Sequence, residues 1–201
     1  MLSIVQAAGW PIWFLIVASF ATAALIVERS LSLRRRQILP AGTLEEILTL
    51  YRNRQITPEM IQRIERSSPL GRVLANGLRH DLEPREMMKD ALEESGRAVA
   101  HSLEKYLPAL GTLATVSPLL GLFGTVIGMI EIFGAQGAAG TNTAQLAYGI
   151  SVALYNTALG IAVAIPALIA YRIFRARVDD FLVEMEQQSL RLVDSVKGAR
   201  R

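Results

Sequence analysis

The chain of 201 residues has no cysteine, which removes any disulfide framework, thiol nucleophile or thiolate metal site. Its two histidines, His80 and His101, are isolated, so no metal site is expected. Walker-type, Gly-x-Ser-x-Gly and His-Glu-x-x-His motifs are missing, and with them the common phosphate-binding and hydrolytic constellations. No catalytic residue and no resident cofactor is expected, and the chain does not read as an enzyme. Aromatics make up only 6% of residues and do not interleave with basic runs, so the net charge of +3 is no sign of nucleic-acid binding. Strand signals are absent. The most telling lack is of charge: Met1–Val27 has no charged side chain, and Leu107–Tyr171 has no Lys, Arg, His or Asp and a single acid, Glu131.

Those neutral stretches are long and apolar. A bilayer is crossed by about 20 apolar residues, and three segments meet that requirement. All 21 Lys and Arg lie between Arg29 and Lys105 or beyond Tyr171. The cluster Arg34-Arg35-Arg36 follows the first run, whereas a cleaved signal peptide carries its basic region before the apolar core. The first run therefore reads as a retained anchor, with Trp10 and Trp13 at the outer interface. The positive-inside rule places the N-terminus outside, and Arg172, Arg175 and Arg177 place the C-terminus in the cytoplasm. The expected organisation is a first transmembrane helix over residues 1–28, a cytoplasmic helical region over 29–106 and a second span over 107–134. A periplasmic loop over 135–144, a third span over 145–171 and a cytoplasmic C-terminal helix over 172–201 follow.

The soluble region shows four helix starts. Thr43 is expected to cap a helix with Glu46 at its third position. Thr57-Pro58 and Ser68-Pro69 place proline at a first helical position, and Glu83-Pro84-Arg85 begins the fourth helix. Apolar sets at helical spacing are Ile47, Leu48, Leu50, Tyr51; Leu70, Val73, Leu74, Leu78; and Met87, Met88, Ala91, Leu92, Val99, Leu103, Tyr106. The fourth helix is expected to run on toward the second span, giving it a long cytoplasmic extension. Residues from Asp179 to Val196 read as an amphipathic helix that packs on that extension through Phe181, Leu182, Met185, Leu190, Leu192 and Val193. Glu93-Glu94 point apart on a helix and read as solvated, and His101 as a surface histidine.

Within the spans, small residues fall in rows: Ser117, Gly121, Thr125; Gly124, Gly128; Ala153, Thr157; and Asn156, Gly160, Ala164. Such rows let helix backbones approach closely in lipid. Glu131, beside the outer loop, reads as a carboxylate near water or as an acid at the mouth of a polar pathway. Proton passage needs a group that titrates at depth. Ser151, Asn156, Thr125 and Thr157 can bind water but do not titrate usefully near neutrality. Alone, then, these spans offer a polar lining or a hydrogen-bonded glue between helices, and a partner would supply any acid.

The motifs Ser117-Pro-Leu-Leu-Gly-Leu-Phe-Gly-Thr-Val-Ile-Gly128 and Gly149-Ile-Ser-Val-Ala-Leu-Tyr-Asn-Thr-Ala-Leu-Gly160 resemble the MotA/TolQ/ExbB proton channel family, on its ExbB and TolQ side. Ala164-Ile-Pro166, the basic exit and Ser68-Pro-Leu-Gly71 fit as well. The resemblance implies an all-α membrane protein of three transmembrane helices, assembled as a homopentamer around a central pore in the bacterial inner membrane. It implies that Thr125 and Thr157 line that pore and that Gly121, Gly124, Gly128 and Gly160 pack the helices. Asn156, Ser151, Ser117 and Glu131 are further candidates for the pathway or the packing. The implied partners are an ExbD/TolR-like single-span subunit, whose membrane aspartate carries the proton, and a TonB- or TolA-like protein driven across the periplasm. The family pattern places a glutamate before Ala-Leu in the third span, where this chain has Val152.

Three readings follow: a subunit of a proton-driven motor for TonB-dependent-type transport or TolQ-type envelope constriction, a non-conducting membrane scaffold, and a lone ion channel. Retained Thr125 and Thr157 favour the first, and Val152 favours the second. The lack of a titratable group in the middle of the spans counts against the third.

Overall fold

A computed structural model describes residues 9–136 and 143–198. Among the described residues every regular element is a helix: α1 (Pro11–Ser32), α2 (Arg35–Ile38), α3 (Thr43–Arg52), α4 (Pro58–Ser67), α5 (Pro69–Arg79), α6 (Arg85–Glu104), α7 (Leu107–Gln136) and α8 (Thr143–Gly198). Helices α1, α7 and α8 contain the three stretches long and apolar enough to cross a membrane. The middle of the expected outer loop, residues 137–142, lies outside the described residues, as do residues 1–8 of the first expected span. The chain divides into two compact units, one of residues Met1–Arg29 and Tyr106–Ile173, the other of Ser30–Lys105 and Phe174–Arg201.

The second unit is built as a soluble helical domain is built. The Thr57 hydroxyl accepts the Met60 N–H at 3.3 Å and the Ser68 hydroxyl accepts the Gly71 N–H at 3.0 Å. Each cap is followed by proline, so α4 and α5 start where the sequence places them. At α3 the expected cap shifts by one residue. Gly42, at φ +83°, occupies the cap position, and Thr43 is already helical. Its hydroxyl donates back to the Pro40 carbonyl at 3.0 Å rather than capping forward.

Leu70, Val73, Leu74 and Leu78 are all buried, as are Ile47, Met88, Leu92, Val99 and Leu103. Met87 is exposed, because only its neighbour Met88 shares a face with Ala91 and Leu92. From α8, Phe181, Met185, Leu192 and Val193 are buried, while Leu190 is exposed. Salt bridges Arg35–Glu184 (2.8 Å), Arg79–Glu65 (2.5 Å), Arg85–Asp194 (2.5 Å) and Arg175–Glu104 (2.9 Å) lie around this core. The Lys197 ammonium donates to the Asp81 carbonyl at 2.7 Å and also to that of Glu83, fastening the end of α8 to the α5–α6 turn. Glu93 pairs with Arg97 at 2.8 Å, and Glu94 and His101 are exposed.

One boundary expectation is not met. Helix α6 ends at Glu104 rather than continuing into α7. Lys105 is extended (φ −49°, ψ 134°), and Tyr106 has φ +69°, a left-handed conformation that only over-determined side chains hold. Pro108 then sits in the first turn of α7, where a missing N–H costs nothing. Helix α8 carries the third apolar stretch and the C-terminal helix as one unbroken element to Gly198.

In the first unit, α7 and α8 run antiparallel. From the α7 start toward its end, Gly111 lies against Tyr171, Gly121 against Asn156 and Thr157, Gly128 against Ala153, and Ile132 against Gly149. Helix α1 buries Ile12, Leu15, Ala18, Thr22 and Arg29 at helical spacing. Ile12 clusters with Val152 and Leu159 of α8, and Trp10 meets the Phe123 ring edge-on at 6.0 Å. The opposite side of α1 exposes Trp13, Phe14, Val17 and Phe20. Such a broad apolar face has lipid as its natural solvent.

Candidate functional site

The site is the crossing of α7 and α8, and its geometry depends on residues without side chains. A β-carbon added at Gly160 would lie 2.5 Å from the Ser117 carbonyl oxygen and 3.1 Å from the Gly121 α-carbon. One added at Gly121 would lie 2.7 Å from the Asn156 carbonyl oxygen and 2.9 Å from the Thr157 α-carbon. At Gly124 it would meet the Asn156 side chain at 2.8 Å, and at Gly128 the Ala153 methyl at 3.2 Å. Here backbone meets backbone, which no larger residue permits. The four glycines singled out from the sequence therefore all lie at the α7–α8 interface, together with Gly149, which sequence reasoning did not single out. Its signal was present: a glycine inside an apolar run with Ala153 four residues on.

The polar side chains sort by burial. Ser117 and Asn156 are each 1% exposed, set inside the crossing. The Asn156 side chain packs directly on Gly124, so its carboxamide occupies space that the missing β-carbon leaves open. Thr125 and Thr157 are half-buried, and Ser151 and Glu131 are exposed. Thr125 shares a shallow depression with Val126, Met129, Ile130 and Phe133. The Thr157 backbone lies beside Gly121, one turn before Thr125 on α7, and the depression at Thr125 is lined by α7 residues.

Hydrogen bonding separates them further. The Ser117 hydroxyl donates to the Leu113 carbonyl at 2.6 Å, Thr125 to Leu122 at 2.6 Å, and Ser151 to Ala147 at 2.9 Å. Each proton is used within its own helix, a common arrangement for hydroxyls in apolar helices, and each oxygen keeps accepting capacity only. The Thr157 hydroxyl makes no hydrogen bond among the described residues. It is free to donate as well as accept.

Val152, where the resemblance implies a glutamate, is 8% exposed and packs with Ile12 of α1. A carboxylate there would be buried against an apolar helix at a cost of several kcal/mol unless protonated or paired, on the order of the penalties for unpaired buried charge. The same residue lines a cavity of about 290 Å³ together with Glu131, Tyr148 and Asn156. No cluster of metal-ligating residues occurs among the described residues.

Two features were missed at the sequence level. Thr22 is 3% exposed on the inner face of α1, and its hydroxyl has no partner among the described residues. Arg29, 6% exposed, pairs with Glu28 and stacks over the Tyr106 ring at 5.2 Å. Their signal was the spacing Leu15, Ala18, Thr22, Arg29 along one helical face.

The sequence model of the MotA/TolQ/ExbB proton channel family matches residues 65–187. The chain is similar to the biopolymer transport protein exbB1 of Vibrio cholerae, 30% identical over 186 residues that cover 90% of this chain and 82% of that one. It is similar to a putative ExbB-like biopolymer transport protein of Synechocystis, 30% identical over 79% of this chain and 77% of the other. A shorter match, 48% identical over 79 residues, links it to the Tol-Pal system protein TolQ of Haemophilus influenzae, with 39% of this chain and 35% of that one aligned. An all-helical chain with three apolar spans and a glycine-packed hairpin, matched over more than half its length, belongs to the MotA/TolQ/ExbB proton channel family, a family of transport subunits rather than of enzymes.

Proposed function

We propose that this chain is the channel-forming subunit of a proton-driven motor in the bacterial inner membrane. In this reading several copies, five by resemblance, surround a central pore. An ExbD/TolR-like single-span partner enters the pore and brings the membrane aspartate that carries the proton. The motion produced is passed to a TonB- or TolA-like protein, for TonB-dependent-type transport or for envelope constriction. The N-terminus faces the periplasm and the C-terminus the cytoplasm. Arginine clusters after α1 and within α8 support that orientation.

The observation that carries this reading is the half-buried Thr157 beside Gly121, with a hydroxyl that makes no hydrogen bond among the described residues. Thr125, one turn beyond Gly121 on α7, offers lone pairs. Such a pair can hand a water or a partner's carboxyl from acceptor to donor without any charge of its own. The test is proton uptake by vesicles containing the chain and its partner. Thr157→Val is expected to reduce uptake more than Thr125→Val, because it removes a donor as well as an acceptor. Equal uptake in both variants and wild type would overturn the pore assignment. Native mass spectrometry of the complex, gently extracted from its own membrane, reads the stoichiometry: five copies with two of a single-span partner support the motor.

A second reading, a non-conducting scaffold, is favoured by one specific observation: Val152 is apolar and packed against α1. It predicts a stable homo-oligomer that binds no single-span partner and passes no protons.

A further inference from the structure

We infer that Glu131 is a proton-binding carboxylate that serves a cavity among the three spans of one subunit. The inference rests on the proton-conducting reading above and names the acid that this chain itself contributes to it.

The cavity of about 290 Å³ lies within the membrane unit, walled by all three spans: Pro11 from α1, Glu131 and Ile132 from α7, and Tyr148, Val152 and Asn156 from α8. Two close approaches frame it. Gly128 meets Ala153 on one side of Glu131, and Ile132 meets Gly149 on the other. The carboxylate therefore sits on a turn of α7 between two points where α7 and α8 are pinned together. Among the described residues no hydrogen bond or ion pair reaches it.

Three functional groups share this space. A phenol and a carboxamide can hold water in line, and a carboxylate can take a proton up and release it. At about 30 Å³ per water molecule, the volume admits a short chain of waters, and these side chains provide the polar partners that such water requires. The charged surroundings are simple. Met1–Val27 and Leu107–Tyr171 carry no other charged side chain, and among the described residues Tyr148 is the other titratable group lining the cavity. Among the described residues no cationic side chain and no second carboxyl lines the cavity. Glu131 is exposed toward the outer-loop end of α7, beside the cavity, and an ionisable residue within an apolar span is a functional candidate by default. Three side-chain oxygens are too few for a dehydrated alkali cation, which takes six or so oxygen ligands in hard-cation sites of this kind. The proton is the ligand that fits.

The test uses the complex of this chain with its own single-span partner, reconstituted in liposomes. Two readouts are taken. The first is proton uptake driven by a membrane potential. The second is labelling of the Glu131 peptide by a hydrophobic carbodiimide, which adds to protonated carboxyls and is read by mass spectrometry across pH. Glu131→Gln is expected to bring uptake to the level of partner-free vesicles, and Glu131→Asp to retain part of it. Carbodiimide is expected to label Glu131 in the wild type, less as pH rises. Wild-type uptake in Glu131→Gln, or uptake that follows sodium rather than pH, would overturn the inference. If Glu131→Gln does not assemble, labelling of the wild-type complex decides. If the wild-type complex conducts nothing, the motor reading fails, and the labelling profile alone decides whether Glu131 binds a proton.

Discussion

The two units of this chain are held together by opposite means. In the soluble unit, large side chains fill the interior: Leu70, Leu74, Met88, Leu92 and Phe181 are buried, and four ion pairs between sequence-distant residues lie around them. In the membrane unit the α7–α8 crossing is made by subtraction. Gly121, Gly124, Gly128 and Gly160 remove side chains so that backbones meet, and the large apolar residues Leu119, Leu122, Phe123, Ile130 and Ile165 point outward. Water explains the difference. In water, burying apolar area drives packing. In lipid a leucine gains little by leaving the solvent, so close van der Waals contact and hydrogen bonds must do the work.

Substitutions can break this comparison, in descending order of effect. Leu74→Ala removes a fully buried side chain from the soluble unit. It is expected to cost about 2–5 kcal/mol, read as an earlier denaturant transition of the soluble unit's tertiary signal. Gly160→Ala does the reverse in the membrane unit: one added methyl group meets the Ser117 carbonyl and the Gly121 backbone. Overpacking of this kind costs about 1–3 kcal/mol and is expected to lower the thermal midpoint in detergent. If alanine is harmless there, the packing by subtraction is wrong. Ser68→Ala removes a helix cap from α5 and is expected to cost about 1 kcal/mol, measured by denaturant unfolding. The smallest effect belongs to the surface pairs. Asp194→Asn breaks the exposed bridge to Arg85, with an expected loss of up to about 1 kcal/mol that fades in high salt. A large, salt-independent loss would mean that the ion pairs carry the soluble unit.

Much of this arrangement was legible in the sequence. The three spans follow from runs without charge, and the starts of α4 and α5 follow from a hydroxyl residue before proline. The glycines at the α7–α8 crossing follow from their spacing. What escaped was whatever depends on a competing local bond or on a distant neighbour. Thr43 reads as a cap, but its hydroxyl found the Pro40 carbonyl first. The continuation of α6 into α7 failed at Tyr106, a residue with no intrinsic preference for positive φ, whose ring lies beneath the Arg29 guanidinium. Val152 could be recognised as a departure from a pattern, but only the fold shows that its neighbour is Ile12 of the first span. The third span and the C-terminal helix form one unbroken element, because charge marks where a helix leaves the bilayer and not where it ends.

The back-bonded hydroxyls carry one more consequence. Thr112, Thr115, Thr125 and Ser151 each direct their proton to a carbonyl of their own helix, and each is at least partly exposed. A guest approaching them meets lone pairs and no protons. Hydronium, ammonium or an amide finds a welcoming surface there, and chloride or a free carboxylate does not. A partner residue that meets these four hydroxyls is therefore expected to be a hydrogen-bond donor.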